Sequence, residues 1–200
     1  MSEITSEKNE YLSQNFTSLN LSSRDIHNKE FEDCTFQECD FSDALFHKCK
    51  FIDCHFVNCN LSVWRIDQCK FSDVVFDECK VIGVDWTKAS WSHFVLTSPI
   101  KFYKCIMNDS CFFGLRLEEL VIQECKAHDV DFREGNFSEA DFTYTDFANS
   151  LFAETNLAGA NFIEAISYTI DIYHNEIKRA KFSRYEAVRL LDSLNIELVD

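Results

Sequence analysis

Residues 31–60 read FEDCTFQECDFSDALFHKCKFIDCHFVNCN, with a phenylalanine at every fifth position. Outward from this stretch, a large apolar residue recurs at the same spacing from Phe16 to Leu96. After one extra residue near Pro99 the series continues from Phe102 to Phe162, with Ala127 as its one small member. A period of five matches neither a helix, at about 3.6, nor a strand, at about 2. Such a fixed period is typical of stacked repeats, which commonly form binding surfaces.

A second series of small residues lies two positions before the first. It contains nine of the ten cysteines: Cys34, Cys39, Cys49, Cys54, Cys59, Cys69, Cys79, Cys105 and Cys125. Each five-residue unit therefore offers one large and one small side chain for burial, while the other three positions are mostly polar. Alternating large and small side chains fill a narrow core without voids.

These units predict an all-β solenoid. Two buried positions, two residues apart, suit a short extended side followed by a turn, and successive coils then stack at about 4.8 Å. Cysteines four units apart, such as Cys34 and Cys54, indicate four sides per coil. We expect the extra residue near Pro99 to form a small bulge at one corner, and Trp64, in a small-residue position, to cause a local distortion. The predicted aromatic column is Phe31, Phe51, Phe71, Trp91, Phe112, Phe132 and Phe152.

The chain divides into three predicted segments. Residues 1–15 form a polar N-terminal tail, 16–182 the β-helix, and 183–200 a C-terminal helix with a short tail strand. Ser183 and Glu186 have the spacing of a capping box, and an apolar helical stripe follows. The apolar residues at this end exceed what one coil end needs, which favours a dimer over a simple plug. The predicted dimer interface is Phe182, Leu190, Leu191, Leu194, Ile196 and Leu198.

Charge and cysteine usage limit the possible partners. The formal net charge of −15 argues against nucleic acid and anionic membranes as partners and favours a basic protein. The cysteines follow the core register, so we expect free thiols in a reducing cytoplasm rather than a disulfide framework. The N-terminal tail lacks an apolar signal region, and no apolar run is long enough to span a membrane.

The sequence predicts no enzyme. Cysteine spacings of five, ten and twenty do not resemble zinc motifs, the six histidines are scattered, and no phosphate-binding loop occurs. We therefore expect no metal, cofactor or catalytic residue.

Acidic residues are concentrated in residues 127–164, beside the predicted dimer end. This stretch contains one basic residue, Arg133, and eight acidic ones, which we predict to be the partner-binding surface: Asp129, Asp131, Glu134, Glu139, Asp141, Asp146, Glu154 and Glu164. A four-sided coil would also align Asp33, Asp53 and Asp73 on one side, with Glu134 and Glu154 further along. Aligned like charges are destabilising, so a basic partner would explain them. Alternatively, an acidic residue before the large one simply suits the turn geometry.

Several units resemble a known family. Residues 140–144 (ADFTY), 155–159 (TNLAG) and 160–164 (ANFIE) are similar to the A(D/N)(L/F)xx units of pentapeptide-repeat proteins. The resemblance implies a right-handed quadrilateral β-helix with a C-terminal capping α-helix.

The C-terminal region resembles the topoisomerase-protecting branch of that family. Residues 175–198, together with FEDCTF at 31–36 and IDIYHN at 170–175, are similar to the group of Qnr, MfpA, McbG and, most of all, the albicidin-resistance protein AlbG. The resemblance implies a homodimer that mimics DNA, binds DNA gyrase and protects it from a poison, giving antibiotic resistance or self-immunity. Qnr proteins carry two projecting loops, whereas this sequence shows one single-residue break, which favours albicidin over quinolones as the poison.

Two other functions remain open. One is a β-helical scaffold that binds another basic protein, without topoisomerase activity. The other is a flat-faced surface binder such as an ice-binding solenoid. Such a binder needs regular ranks of outward threonines, and outward threonines are sparse in this sequence, which disfavours it.

Overall fold

The computed structural model describes residues 4, 7–91, 98–197 and 199, and they form a parallel β-solenoid of about eight turns. Each turn is a coil with four sides, and each side is one five-residue unit. Over most of the length, a residue pairs with the one four units further along the chain, as Phe31 does with Phe51. The all-β solenoid predicted from the repeat is therefore confirmed.

The strands are short because each side contributes only two to four residues to a ladder. They are β1 (Glu10–Leu12), β2 (Asn15–Thr17), β3 (Asp25–His27), β4 (Glu30–Glu32), β5 (Thr35–Gln37), β6 (Leu45–His47), β7 (Lys50–Ile52), β8 (His55–Val57), β9 (Lys70–Ser72), β10 (Val74–Asp77), β11 (Ile100–Tyr103), β12 (Val121–Gln123), β13 (Thr155–Asn156), β14 (Asn161–Phe162), β15 (Asn175–Glu176) and β16 (Lys181–Phe182). Two 3-10 helices span Trp86–Lys88 and Glu186–Leu194.

We number the four sides in chain order. Side 1 is the sheet β1-β4-β7-β9, and side 2 the sheet β2-β5-β8-β10-β11-β12. Side 3 is a series of single parallel bridges that begins with Asn20, Asp40 and Asn60. Side 4 begins with the β3-β6 pair and continues through bridges that join Cys111, Asp131 and Leu151.

Most units turn at a residue in the left-handed conformation, two positions after the large residue; Lys88, which follows Trp86 in a 3-10 helix, is an exception. These corner residues have φ between about 50° and 62° when they are not glycine. Their backbone N–H groups donate to the next coil, as that of Asp53 does to the Ser72 carbonyl at 2.9 Å. A small residue that has a side-chain donor hydrogen-bonds instead to a backbone carbonyl of the previous coil. The Cys54 thiol, for example, donates to the Phe31 carbonyl at 3.3 Å.

The large residues point inward and stack along each side. On side 2, the rings of Phe16, Phe36, Phe56, Phe76 and Phe102 follow one another at centroid distances of 4.6 to 5.0 Å. All five are completely buried. The five-residue period brings a large residue to the same place on this side in each regular coil, and the stack continues from Phe76 to Phe102 although these two are 26 residues apart.

The break near Pro99 is longer than predicted. Ile100 pairs with Val74, and Cys111 with Asp85, so the chain between these partners is longer than a regular coil by one whole unit and one further residue. The predicted one-residue bulge is therefore wrong, because six residues are inserted. Pro99 precedes side 2 where a regular unit has its left-handed corner residue, and the proline ring holds φ at about −65°. Residues 92–97, including the predicted core residue Leu96, lie outside the described part of the chain.

The six-residue insertion also corrects the predicted aromatic column. Phe112 stacks on Trp86, at 5.9 Å, and not on Trp91. Trp91 is half-buried and stacks on Phe71 at 5.8 Å. Phe112, Phe132 and Phe152 therefore belong to side 4, whereas Phe31, Phe51 and Phe71 belong to side 1.

The repeat begins earlier than residue 16. Strand β1 pairs with β4, and the buried ring of Tyr11 stacks on Phe31 at 5.1 Å. The boundary of the predicted polar tail is wrong because Tyr11 occupies a regular large position, five residues before Phe16.

The regular spacing changes again after Phe162. The next large position in the five-residue series would be Ser167, but Tyr168 beside it is the residue that is fully buried. Ile170 pairs with Phe152, which makes this coil two residues shorter than a regular one. The regular separation of four units returns where Thr155 pairs with Asn175. The chain shifts locally because serine is too small and polar to fill the large position.

The C-terminal helix is present, but it is a 3-10 helix, and the predicted capping box does not form. The Ser183 hydroxyl accepts from the Glu164 N–H at 2.8 Å and donates to the Glu164 carboxylate at 2.9 Å. Glu186 pairs with Arg189 at 2.6 Å. Both capping side chains are thus occupied elsewhere.

The helix ends at Asn195, which has the left-handed φ of 50° expected of a stop residue. The predicted tail strand is wrong for Ile196 and Glu197, which form no strand, and Leu198 lies outside the described residues.

Trp64 does not disturb the register. Asn60 pairs with Asp40, and Arg65 with Leu45, at the regular separation of four units. The indole fills the axis of the coil and contacts one phenylalanine from each side: Phe41, Phe46, Phe51 and Phe56. The small Ala44 occupies the equivalent position one coil earlier, which leaves room for the larger ring.

Candidate protein-binding surface

Three of the eight predicted surface carboxylates have a local structural role. Asp131, Asp141 and Asp146 stand immediately before a large residue, and each accepts a hydrogen bond from the backbone N–H two residues later, at 3.1 to 3.2 Å. This is the turn geometry that aspartate and asparagine favour. For these three, the repeat itself explains the acidic side chain.

The other five carboxylates occupy left-handed corners. They are Asp129, Glu134, Glu139, Glu154 and Glu164, with φ from 55° to 59°. Glycine, asparagine and aspartate tolerate this conformation best, and glutamate gains nothing from it. Local geometry therefore does not explain the four glutamates.

The eight carboxylates do not form one patch. They follow the chain around all four sides of the coils after Pro99, which we call the lower coils, because successive units face successive sides. The coils before Pro99 are the upper coils. Asp141 lies on side 2, Asp146 on side 3 and Asp131 on side 4, and Glu139 lies at the corner between sides 1 and 2. The eight acidic residues that are clustered in the sequence therefore form a belt around the lower coils in the structure.

Neighbouring side chains neutralise part of this belt. Arg133 forms a two-pronged pair with Asp131 at 2.7 and 2.9 Å, and its hydrogen bonds hold the pKa of that carboxyl below its usual value. The pKa of Asp146 is also lowered: burial opposes ionisation, but hydrogen bonds from His128, at 2.8 Å, and from Ser167 outweigh it.

Three belt carboxylates have no hydrogen bond or ion pair within the described part of the chain: Asp129, Glu134 and Glu154. All three are exposed. Asp129 lies at the corner where side 3 meets side 4, and Glu134 and Glu154 lie on successive coils where side 4 meets side 1. Asp109, outside the predicted cluster, is exposed, likewise without such a partner, and lies one coil above Asp129. The uncompensated charge of this region therefore borders side 4.

The predicted acidic alignment needs a related correction. Asp33, Asp53 and Asp73 do share a corner, between sides 1 and 2, but Glu134 and Glu154 do not continue it. The six inserted residues move that corner to Glu119 and Glu139 in the lower coils. Lys101 pairs with Asp73 at 2.7 Å, and Arg179 with Glu139 at 3.6 Å.

The six predicted dimer residues divide into two groups. Phe182 stacks on Phe162 at 5.1 Å, and Leu190 packs against the core, so these two cover the last coil. Leu191 and Leu194 are half-buried and Ile196 is 54 % exposed, whereas Leu198 lies outside the described residues.

Exposed apolar side chains were missed by the sequence analysis. Phe113 and Leu151 are 39 % and 47 % exposed on side 4, and Tyr144 and Ile163 are 62 % and 41 % exposed beside or on side 2. The available signal was a large apolar residue at a unit position that is otherwise polar.

Other kinds of site find no support in the described residues. They contain no cluster of histidine, cysteine and carboxylate side chains that could hold a metal ion. No helix among them is both long and apolar enough to cross a membrane. All ten cysteines are free thiols, and Cys111 alone is not fully buried.

Comparison with solved structures gives the same fold. Two trypsin-treated forms of QnrB1, described as a plasmid-mediated fluoroquinolone resistance protein, match at 19 % identity. The first match covers 95 % of this chain and 100 % of that chain with a TM-score of 0.59, and the second covers 96 % and 92 % with 0.53. At this identity the likeness shows the fold alone.

No curated protein matches the chain. A family model described as a pentapeptide repeat region matches residues 29–98 and 95–162, which together make up more than half of the sequence. The chain therefore belongs to the pentapeptide-repeat family.

Proposed function

We propose that this protein binds DNA gyrase, or another type II topoisomerase, and protects it from a topoisomerase poison. In this function it is a cytoplasmic, non-enzymatic DNA mimic that acts as a homodimer. The observation that carries the proposal is the uncompensated acidic surface of the lower coils, where Asp129, Glu134 and Glu154 are exposed without partners in the described chain. The fold likeness to QnrB1, whose description names fluoroquinolone resistance, supports the same direction.

A slender acidic rod is suited to a basic DNA-binding surface. Charges fixed on a rigid repeat need no reordering on binding, and complementary potentials accelerate association. The carboxylates lie on a backbone ladder with a spacing of about 4.8 Å per coil, so their positions are set by the fold.

The identity of the poison belongs to the proposal. The preference for albicidin rests on the resemblance of the sequence to AlbG, whereas the argument against quinolones rested on a one-residue break, which the six-residue insertion removes. We propose protection against albicidin, with a quinolone as the second arm of the test.

A gyrase supercoiling assay tests the function. Purified protein should restore supercoiling in the presence of albicidin, of a quinolone, or of both, and should bind gyrase at low salt. Changing Asp129, Glu134 and Glu154 together to Lys should abolish binding and protection, because the interface loses its attraction and gains repulsion.

The matched control changes Glu10, Glu38 and Glu78 to Lys, three exposed carboxylates of the upper coils. It alters the net charge equally and should leave most of the binding intact. If the two triple variants weakened binding equally, the interaction would depend on net charge and not on the position of the carboxylates. Wild-type protein that binds neither gyrase nor another type II topoisomerase would refute the proposal and favour a scaffold for another basic protein.

A further inference from the structure

We propose that side 4 of the lower coils is a docking surface for an amphipathic protein segment with an apolar centre flanked by lysine or arginine. This surface, the side-4 strip, consists of Cys111, Phe113, Leu151 and Ala153 around the Asp131–Arg133 pair. The inference rests on the proposed function only in taking gyrase as the first partner to test.

The side-4 strip extends over three successive coils. Parallel bridges join Cys111 to Asp131 and Asp131 to Leu151, so three successive coils present these residues side by side. Phe113 and Leu151 are 39 % and 47 % exposed, and Cys111 and Ala153 are half-buried. Elsewhere in the repeat these outward positions are mostly polar, so solvent exposure alone does not explain them.

The ion pair in the centre keeps the strip nearly neutral. Arg133 reaches Asp131 through two hydrogen bonds, at 2.7 and 2.9 Å, and its guanidinium lies 5.8 Å from the centre of the Phe113 ring. Because the guanidinium is already occupied, it adds little repulsion toward a cationic partner. The aliphatic part of the arginine side chain extends the apolar area between Phe113 and Leu151.

Both borders of the strip are acidic. Asp109 and Asp129 follow one corner, and Glu134 and Glu154 follow the opposite corner, all exposed and without partners in the described chain. An apolar centre with a charged rim is the usual anatomy of a protein interface. Charge complementarity then specifies the occupant: a segment with basic side chains on both sides of an apolar stripe, such as a basic amphipathic helix.

The proposal differs from pure DNA mimicry in a measurable way. Binding that depends on charge alone weakens steeply with salt, because added ions screen exposed charges within about 10 Å at 0.1 M. Contact through Phe113 and Leu151 should leave a component of the affinity that salt does not remove.

Cys111 provides a direct readout. It lies within the strip, and the other nine cysteines are buried, so a maleimide should label the folded protein at Cys111 alone. Saturating gyrase should slow this labelling at least about tenfold if the partner covers the strip. Labelling at an unchanged rate in a complex shown to be intact would overturn the proposal.

Matched double variants separate the apolar contact from the charge. Phe113→Ser with Leu151→Ser should weaken gyrase binding about tenfold or more, at low and at high salt. Tyr144→Ser with Ile163→Ser removes comparably exposed apolar side chains beside side 2 and should not change the affinity. An unchanged thermal transition establishes that each variant is folded. Equal affinity of the side-4 variant and the wild type would refute the proposal.

A synthetic peptide keeps the inference testable if gyrase does not bind. The probe is a helix of about five turns with a leucine stripe flanked by lysines, and its control replaces the leucines by glutamine at equal charge. The docking surface would be supported, even though the gyrase function had failed, if the leucine peptide slowed maleimide labelling of Cys111 and the glutamine peptide did not. This effect should be lost in the side-4 double variant. Equal binding of the two peptides would refute it.

Discussion

At the scale of single residues, the small position of each unit is a hydrogen-bond donor as well as a space filler. The Cys54 thiol donates to the Phe31 carbonyl, and the hydroxyls of Thr145 and Ser150 donate in the same way to Ile122 and Ala127, at 2.8 and 2.6 Å. Cysteine, serine and threonine are thus exchangeable here because each can satisfy a carbonyl of the preceding coil.

The first prediction compares two substitutions of one buried thiol. Cys54→Ser keeps a donor to the Phe31 carbonyl, whereas Cys54→Ala removes the donor and leaves a small cavity. We expect the alanine variant to lose about 1 to 2 kcal/mol of unfolding free energy and the serine variant about 1 kcal/mol less than that. Urea denaturation measures both. A serine variant less stable than the alanine variant would contradict the role of the hydrogen bond.

The second prediction concerns Tyr168. Its buried hydroxyl has no hydrogen-bond partner in the described chain, and burial raises its pKa from 10.0 to about 12. The unfolded state therefore loses this proton first, so the contribution to stability is complete below pH 10 and declines as the pH rises toward 12. Tyr168→Phe should lack this decline and should gain up to about 1 kcal/mol at neutral pH.

Denaturation of the two proteins across the alkaline range tests this. The difference in unfolding free energy between variant and wild type should grow above pH 10. A constant difference would show that the hydroxyl ionises equally in both states.

At the scale of elements, the ends of the solenoid differ from its middle. A coil end exposes ring faces and unpaired backbone groups, which the next coil would otherwise cover. At the C-terminal end, Phe182 and Leu190 cover the last coil, and Val188 in the 3-10 helix and Tyr185 and Ile196 beside it are exposed. The C-terminal segment therefore has two faces, one that covers the core and one that is open to a second copy.

The third prediction uses that open face. Val188→Glu with Ile196→Glu should convert the proposed homodimer into a monomer with little loss of protomer stability, because both side chains are about half exposed. Leu12→Glu, at the opposite end and 61 % exposed, is the control and should leave the mass unchanged. Light scattering at micromolar concentration provides the measurement. A monomeric wild type would refute the dimer.

At the scale of the whole molecule, charge and stability oppose each other. The chain has a formal net charge of −15, and carboxylates recur at the same corner on successive coils. Stacked like charges cost stability in a parallel ladder, and nothing in the repeat geometry requires glutamate at a left-handed corner. A surface with this arrangement is better adapted to a basic partner than to an isolated fold.

The fourth prediction measures that opposition. Glu134→Gln with Glu154→Gln removes one stacked pair of charges, so the unfolding free energy should rise by about 0.5 kcal/mol at low salt and by less at high salt. Glu38→Gln is the control, because the residues at the same corner of the coils before and after Glu38 are the uncharged Ser18 and Asn58, so no stacked charge is removed. Gyrase binding by the double variant should weaken although its stability increases. A double variant that is both less stable and fully active would contradict the assignment.

The amino-acid sequence alone determined the solenoid. A period of five with a large and a small apolar residue in each unit requires inward-facing side chains, because any other register would expose a phenylalanine in nearly every unit, and cysteines four units apart indicate four sides per coil. Burial of nine cysteines as free thiols followed from the same period. Composition also predicts a basic partner, since net charge does not depend on folding, and this stays a prediction.

The tertiary structure alone decided which residues share a side. Six inserted residues before Pro99 rotate every later unit onto the preceding side, so Phe112 stacks on Trp86, and Glu134 does not continue the corner of Asp73. A count along the chain registered only the remainder of that insertion, one residue, because one additional whole unit preserves the five-residue phase. Only the structure shows which carboxylates lack a partner and that they border an apolar face around Phe113. Both features depend on contacts between successive coils, whose facing residues are four units apart in the chain. No local sequence pattern encodes such contacts.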